Sequence, residues 1–307
     1  YGAEARGQRP LSMCEYSHAM GNSNGSLADY WKVITTTPGL QGGFIWEWMD
    51  HGLVQHLPNG STRLAFGGQF GDQPNDGNFV ADGLVGSWGE PHPAMREVAW
   101  VYRPVTVELA ALRGRATRLR VTNRQSFTGL EGLRAGWGLR VDGELVSSGV
   151  LRLPAIAPHS SALVDLPINL AAAVPSGEGE VHLSVRFDSR ADTPWAPAGH
   201  LVAWDQVTLR AARRGRAPRL VPTPDAPIAP VERILTSPVE LCIWRASTDN
   251  DGFKLMPDLP HGGGKALRRW LDAGLDRLPA DEVLEHHHER TVLADGAVHH
   301  RHRVVVP

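Results

Sequence analysis

Lysine is nearly absent from this chain: Lys32, Lys254 and Lys265 are the only lysines in 307 residues. The other basic residues are scattered arginines, and 31 basic groups against 33 acidic ones leave a formal net charge of −2. A nucleic-acid binder that works by bulk charge needs a basic surplus, so no nucleic-acid partner is expected. Cysteine is scarce as well. Cys14 and Cys242 stand far apart, which excludes a disulfide scaffold and points to a reducing, cytoplasmic compartment. No apolar run reaches the ~20 residues of a membrane-spanning helix, so no membrane partner is expected. The first residue is Tyr1, not Met, and no basic-then-apolar signal segment precedes it. At the other end, Arg303 to Pro307 reads as a strand cut in mid-run. These ends suggest a piece of a longer chain.

Apolar residues make up 42%, with 33 glycines and 23 prolines, a loop-rich globular composition with room for roughly two or three domains. Residues 1–103 hold five of the ten tryptophans. Here Arg9 to Glu15 reads as a short buried strand, and Asn24 to Thr36 as a helix capped by Asn24 and stopped by Pro38-Gly39. Gly43 to Trp48 reads as an apolar strand buried on both faces, and His92 to Tyr102 as a second helix. Strand, helix, strand, helix is the order of parallel α/β structure. From 104 to 212 the period changes to short alternating runs separated by turns such as Asp142-Gly143, as in an antiparallel β-sandwich. Residues 213–230 carry five prolines and read as an extended linker. Strands resume from Val231, with one helix expected over Gly264 to Ala273.

Four stretches carry side chains suited to chemistry. The first is Cys14-Glu15-Tyr16-Ser17-His18-Ala19-Met20-Gly21-Asn22, where a strand ends in a carboxylate, a phenol and an imidazole. In parallel barrels, catalytic side chains stand at the C-terminal ends of strands, so Glu15 suits a nucleophile or an acid/base group. A strand-end glutamate satisfied by a neighbouring arginine fits the same pattern. The second stretch is Gly42 to Asp50. Strand alternation puts Trp46 and Trp48 on one side and Glu47 on the other. Trp46 is then either a flat platform for a sugar ring or part of a tryptophan-rich core. The third, Phe66 to Gly83, is a long loop of Asp, Asn and Gly, the residue types that supply oxygen ligands to hard cations. The fourth, Trp244 to Gly252, contains Asp249-Asn250-Asp251-Gly252 but fails the calcium-loop pattern, which needs Gly at the sixth position and Glu at the twelfth. The histidines at 286–288, 299, 300 and 302 show no ordered metal-ligand spacing and read as a solvated His-rich loop.

Taken together and in order, these stretches resemble glycoside hydrolase family 2, of the large beta-galactosidase type. The landmarks are Cys14 to Asn22, Gly42 to Asp50, Gly68 to Gly83, Pro91-His92-Pro93, Ala198 to Leu201 with Trp204, and Trp244 to Asp251. The resemblance implies a multidomain chain. Residues 1–103 would be the C-terminal end of a (β/α)8 TIM barrel, 104–212 an immunoglobulin-like β-sandwich, and 231–307 the start of a large C-terminal β-domain. It implies retaining hydrolysis of terminal β-D-galactosides, with Glu15 as nucleophile and Tyr16 or an upstream arginine holding it ionised. His18, Trp46, Asp82 and Tyr16 would bind the sugar. The Phe79 carbonyl and Asp82 would hold sodium, and Asn75 and Asp76 would lie near magnesium. Asp82 stands where well-known members have Asn. Asp249 to Asp251 would form a loop that approaches the barrel mouth. The family's acid/base motif, of the Asn-Glu-Ser-Gly type, does not occur here. A homo-oligomer is implied for the full-length protein. A beta-glucuronidase or beta-mannosidase of the same family, or a non-catalytic carbohydrate-binding protein, are the alternatives.

Overall fold

The computed structural model describes residues 9–113, 116–174, 179–211, 247–251, 266–274, 276, 285–292 and 298–305. The chain forms two compact units, one from residues 1–94 with 216–307 and the other from residues 95–215. The expected linker at 213–230 and the strands expected from Val231 to Trp244 lie outside the described residues.

The first unit opens with β1 (Leu11–Tyr16), α1 (Leu27–Thr36) and β2 (Leu40–Ile45). β1 and β2 pair in parallel, with Met13 opposite Gly43 and Tyr16 opposite Ile45. Between those two pairs β1 has one residue more than β2, so Cys14 and Glu15 sit in a bulge. α1 folds as its apolar spacing requires, burying Leu27 and Ile34 and ending before Pro38-Gly39. Its cap is not Asn24: the helix starts later, with Ser26 at the cap position at φ +62° and no side-chain cap bond. The expectation for β2 also needs correction. It stops at Ile45, three residues short of Trp48, and Phe44 is 71% exposed. A strand is covered on both faces only inside a wider, flanked parallel sheet, and among the described residues β1 and β2 form a sheet of two. A hairpin follows, β3 (Leu53–His56) and β4 (Thr62–Ala65), turned at Asn59-Gly60, where Gly60 takes φ +83° and Asn59 Oδ1 accepts from the Ser61 N–H.

The second unit begins with α2 (Ala94–Val101), which buries Val98 and Val101. Seven antiparallel strands follow. β5 (Val105–Arg113), β6 (Ala116–Asn123) and β9 (Ser161–Asp165) form a sheet of three. β7 (Leu133–Val141), β8 (Glu144–Leu151), β10 (Val181–Ser189) and β11 (Leu201–Arg210) form a sheet of four in the order β11-β10-β7-β8. Both sheets send alternate side chains into one core, with Val105, Leu119 and Val121 from the smaller and Leu139, Leu183, Val185 and Phe187 from the larger. This is the expected sandwich, with sheets of three and four strands around one apolar layer.

Beyond residue 246 the described residues include a 3-10 turn (Asp249–Asp251), a short helix (Ala266–Asp272) and two strands, β12 (Glu285–Val292) and β13 (Val298–Val305). The expected His-rich loop is therefore wrong: β12 and β13 are an antiparallel pair with His288 opposite His302. Among the described residues no helix is long and apolar enough to cross a membrane.

One buried charge joins α2 to the sandwich. Asp205 on β11 accepts from both Arg103 Nε and Nη2, at 3.3 and 2.9 Å, and from the Val107 N–H at 2.7 Å. Arg103 lies over the Trp100 ring at 3.9 Å. Removing one partner leaves the other charge buried and unpaired, which typically costs about 3–5 kcal/mol. Asp205→Ala should therefore lower stability by about that much in urea unfolding, whereas Arg118→Ala, which breaks the exposed Arg118–Asp165 pair, should leave the curve nearly unmoved.

Candidate active site

β1 ends at Tyr16, and the backbone after it runs alongside the end of β2. The Trp46 N–H donates to the Tyr16 carbonyl at 3.1 Å, and the Ala19 N–H donates to the Trp46 carbonyl at 2.6 Å. Glu15, His18 and Trp46 are thus all carried at the C-terminal edge of the parallel pair, where ligands of parallel sheets are bound. Ser17, between them, has φ +50°, the left-handed backbone that turns the chain away from β1.

Asp82 is where most of these side chains meet. It is 2% exposed and lies 36 residues from Trp46, whose Nε1–H donates to its Oδ2 at 3.2 Å. His18 Nε2 stands 3.4 Å from the same oxygen, and the His18 ring stacks on Phe79 with centroids 5.4 Å apart. The backbone locks the loop as well, with the Glu47 N–H on the Asp82 carbonyl and the Leu84 N–H on the Glu47 carbonyl. Asp50 Oδ1 accepts from the Gly83 N–H at 2.8 Å. Gly83 has no room for a Cβ, which would overlap the Met49–Asp50 backbone.

Trp46 and Glu47 do not face opposite ways, as strand alternation implied. β2 has ended before them, and both side chains reach Asp82. The indoles of Trp46 and Trp48 are 42% and 64% exposed, so neither is a core residue here. Tyr16 is seated against α1 instead: it is buried, its hydroxyl accepts from Trp31 Nε1 at 2.9 Å, and its ring meets Tyr30 edge-on. Glu15 is exposed and helps line an open cavity of about 720 Å³ between β1, α1 and the start of β2. A larger cavity of about 880 Å³ lies on the four-stranded sheet and involves none of these residues.

The electrostatics follow from the crowding. Burial alone would raise the Asp82 carboxyl, but hydrogen bonds from His18, Glu47 and Trp46 and the His18 charge outweigh it and hold Asp82 below the usual range. Glu47 moves the other way, raised by burial and by its hydrogen bond to and repulsion from Asp82, with His51 at 3.0 Å offsetting part of this. Two adjacent carboxyls cannot ionise freely together, so Asp82 takes the charge and Glu47 retains the proton longer.

Asp82 Oδ1 is buried and makes no hydrogen bond. A carboxylate oxygen in that state is the kind of donor a hard cation takes. Asn75 and Asp76 do not by themselves fit magnesium. The Asn75 amide is committed to its own loop, donating to the Asp72 carbonyl and accepting from the Gly77 N–H, which leaves one exposed carboxylate. Asp249 reaches the strand end as implied: its N–H donates to Asn22 Oδ1 at 3.3 Å and its Oδ2 accepts from the Asn22 N–H at 3.4 Å. Gly21, at φ +56°, has Asp249 where a Cβ would stand. Sequence reasoning missed Asp50, His51 and His92. His92 had a visible place in Pro91-His92-Pro93 but no assigned task. Its Nδ1 is 3.0 Å from the Gly83 carbonyl and its Nε2 3.5 Å from Asp50, so it supports the Asp82 loop from behind.

Comparison with known proteins matches two segments of the chain. The TIM barrel domain of glycosyl hydrolases family 2 matches residues 2–107, and domain 4 of beta-galactosidase matches residues 119–210. The two matched segments are those of glycoside hydrolase family 2, of which this chain carries a part. Within that family its kinship is with the beta-galactosidases. The protein named Beta-galactosidase from Vibrio vulnificus strain YJ016 is 39% identical over 202 residues, which is 66% of this chain and 19% of that protein. The one from Photobacterium profundum is 40% identical over 202 residues, again 66% of this chain and 19% of that protein. The matched stretch is thus about a fifth of the length of these curated relatives. A Bacteroides uniformis beta-glucuronidase structure superposes with a TM-score of 0.22 at 15% identity, covering 66% of this chain and 22% of that one, too slight a likeness to bear on the fold.

The shared proton gives a pH test. Stability from the Asp82 charge is fully present above the ordinary aspartate pKa and is lost as pH falls through the lowered native value. Stability from the Glu47 proton is present below the ordinary glutamate pKa and is lost as pH rises through its raised native value. Melting curves from about pH 3 to 8 should show a flatter acid limb for Asp82→Asn and a smaller decline toward neutral pH for Glu47→Gln. Profiles parallel to wild type in both variants would rule out the pairing.

Proposed function

We propose that the intact protein is a retaining glycosidase that removes terminal, non-reducing β-D-galactosyl groups. The observation that carries this reading is the meeting of His18, Trp46 and Phe79 around the buried Asp82, at the strand edge that also bears Glu15. A sugar needs an apolar face to rest on and fixed polar groups for its hydroxyls. The half-exposed Trp46 indole supplies the first, anchored through its nitrogen so that its orientation is set. Asp82 and His18 supply the second.

In this reading Glu15 attacks the anomeric carbon and displaces the aglycone, giving a galactosyl ester. Water then cleaves the ester with net retention. The group that protonates the leaving oxygen and later activates water comes from outside this chain, at the ~5–5.5 Å carboxyl separation of retaining enzymes. Asp82 and the Phe79 carbonyl would hold a sodium ion, which supplies positive charge to fix a sugar hydroxyl. Magnesium, if bound, takes its ligands elsewhere, with Asn75 and Asp76 only nearby. The residue ranges 1–103, 104–212 and 231–307 are proposed as barrel end, immunoglobulin-like domain and the start of the C-terminal domain of a cytoplasmic homo-oligomer.

In the full-length protein, Glu15→Gln should abolish turnover while leaving galactoside affinity near normal, because a carboxamide cannot form the ester. A slow fluorinated galactoside should label the wild type on the peptide containing Glu15, and a label recovered on another peptide would overturn the assignment. Trp46→Ala should weaken thiogalactoside binding in calorimetry by on the order of 1–3 kcal/mol, nearer the low end for a sugar than for an aromatic partner. Trp46→Phe should lose less.

A further inference from the structure

Strand alternation sorts the histidines of the β12–β13 pair. His288 lies opposite His302, His286 opposite Val304 and Arg290 opposite His300. Directly paired residues share a face, and so do residues two apart along a strand, so His286, His288, His300 and His302 stand on one face. His287 and His299, opposite Arg303 and Thr291, fall on the other. The four rings of the first face stack nearly parallel, with His288 and His302 centroids 4.3 Å apart and interplanar angles of 7° to 14° across the set. His288 Nε2 is 2.9 Å from His300 Nδ1, and His286 Nε2 is 2.9 Å from His302 Nδ1.

One ring nitrogen from each of His288, His300 and His302 can be chosen so that all three lie within 4.8 Å of one another. His302 Nε2 is buried and makes no hydrogen bond. We propose that His288, His300 and His302 form a site for a divalent transition metal, best suited to Zn²⁺, with His286 as the positioning residue that holds the His302 ring. Three imidazoles plus a water is a donor set zinc accepts in tetrahedral geometry, and borderline nitrogen ligands disfavour Mg²⁺ and Ca²⁺. Zinc–nitrogen bonds of about 2.0–2.1 Å place ligand atoms about 3.3–3.4 Å apart in a tetrahedron. The nitrogens must therefore close by at most about 1.5 Å from the 4.8 Å limit, within the reach of side-chain torsions on a fixed pair of strands. Each ring binds as a neutral ligand, giving its lone pair to the metal and keeping its single proton on the other nitrogen. The His302 proton then sits on Nδ1, where His286 Nε2 accepts it, the outer-shell bond that metal-bound imidazoles usually make.

Zinc chloride titrated into the full 307-residue chain, followed by calorimetry and by metal analysis after gel filtration, should give one tightly held zinc per chain. His302→Ala and His300→Ala should each weaken binding by at least about 100-fold, and His286→Ala by about 10- to 100-fold, as loss of an outer-shell partner does. His287→Ala, on the opposite face, should bind as wild type does. Because cysteine can also take zinc, Co²⁺ substitution should give a tetrahedral visible spectrum without a sulfur-to-metal band. Circular dichroism of each variant guards against misfolding, and His288→Gln gives an independent removal of one ligand if an alanine variant fails to fold. No zinc retained by wild type, equal loss in His287→Ala and His302→Ala, or a sulfur-to-cobalt band would each overturn the site.

Discussion

Burying the Asp82 carboxylate removes it from water, and a charge in that position survives only if other groups supply what water did. His18, Trp46 and Glu47 do so, and they come from two segments, the stretch after β1 and the stretch after β2. The requirement runs in both directions. Asp82 needs three donors, so the stretch after β1, the stretch after β2 and the 66–83 loop must all be in place together. Once they are, the indole face and the imidazole are presented in a fixed relation at the strand ends. The arrangement fixes these side chains relative to one another, so the entropy of ordering them is already lost on folding.

The two units solve the burial problem differently. The sandwich shares one apolar layer between two sheets, and two of its buried polar groups are fully engaged: Asn123 donates to the Thr128 and Ile156 carbonyls, and Asp205 is held by Arg103. The first unit instead presents Phe44, Trp46, Trp48 and Trp88 to its surroundings and depends on backbone bonds between loops.

The sandwich was legible because alternation is a local signal. Alternation is weakest in β8: Glu-Leu-Val-Ser-Ser-Gly-Val-Leu lies at the edge of its sheet, is mostly exposed, and so has no reason to alternate cleanly. The continuous apolar run ending in Trp48 suggested a strand buried on both faces, but a run of apolar residues does not reveal how many neighbours the strand has. The histidine hairpin was misread for a different reason. His-x-His occurs in both arms, and that period is ordered only when residues are counted in twos across a pairing that sequence alone does not specify. Glu15 and Trp46 could be nominated from strand ends. The role of Asp82 could not be read from local pattern, since 64 residues separate it from His18 and only the family resemblance brought the two together. Tyr16 shows the converse. Its place in the motif suggested a part in the site, while the structure seats it against Trp31 and Tyr30.

The reciprocal bond between Asn22 and Asp249 spans 227 residues of sequence. On a ribosome, β1 and everything that follows it up to the sandwich are made well before Asp249 exists. At about 5–20 residues per second, the interval is about 11–45 seconds. Throughout it, the turn at Gly21 has no partner, and the strand end that carries Glu15 and His18 must wait in a provisional form. Completion of this edge therefore trails its own synthesis by that interval, timed by a segment 227 residues downstream.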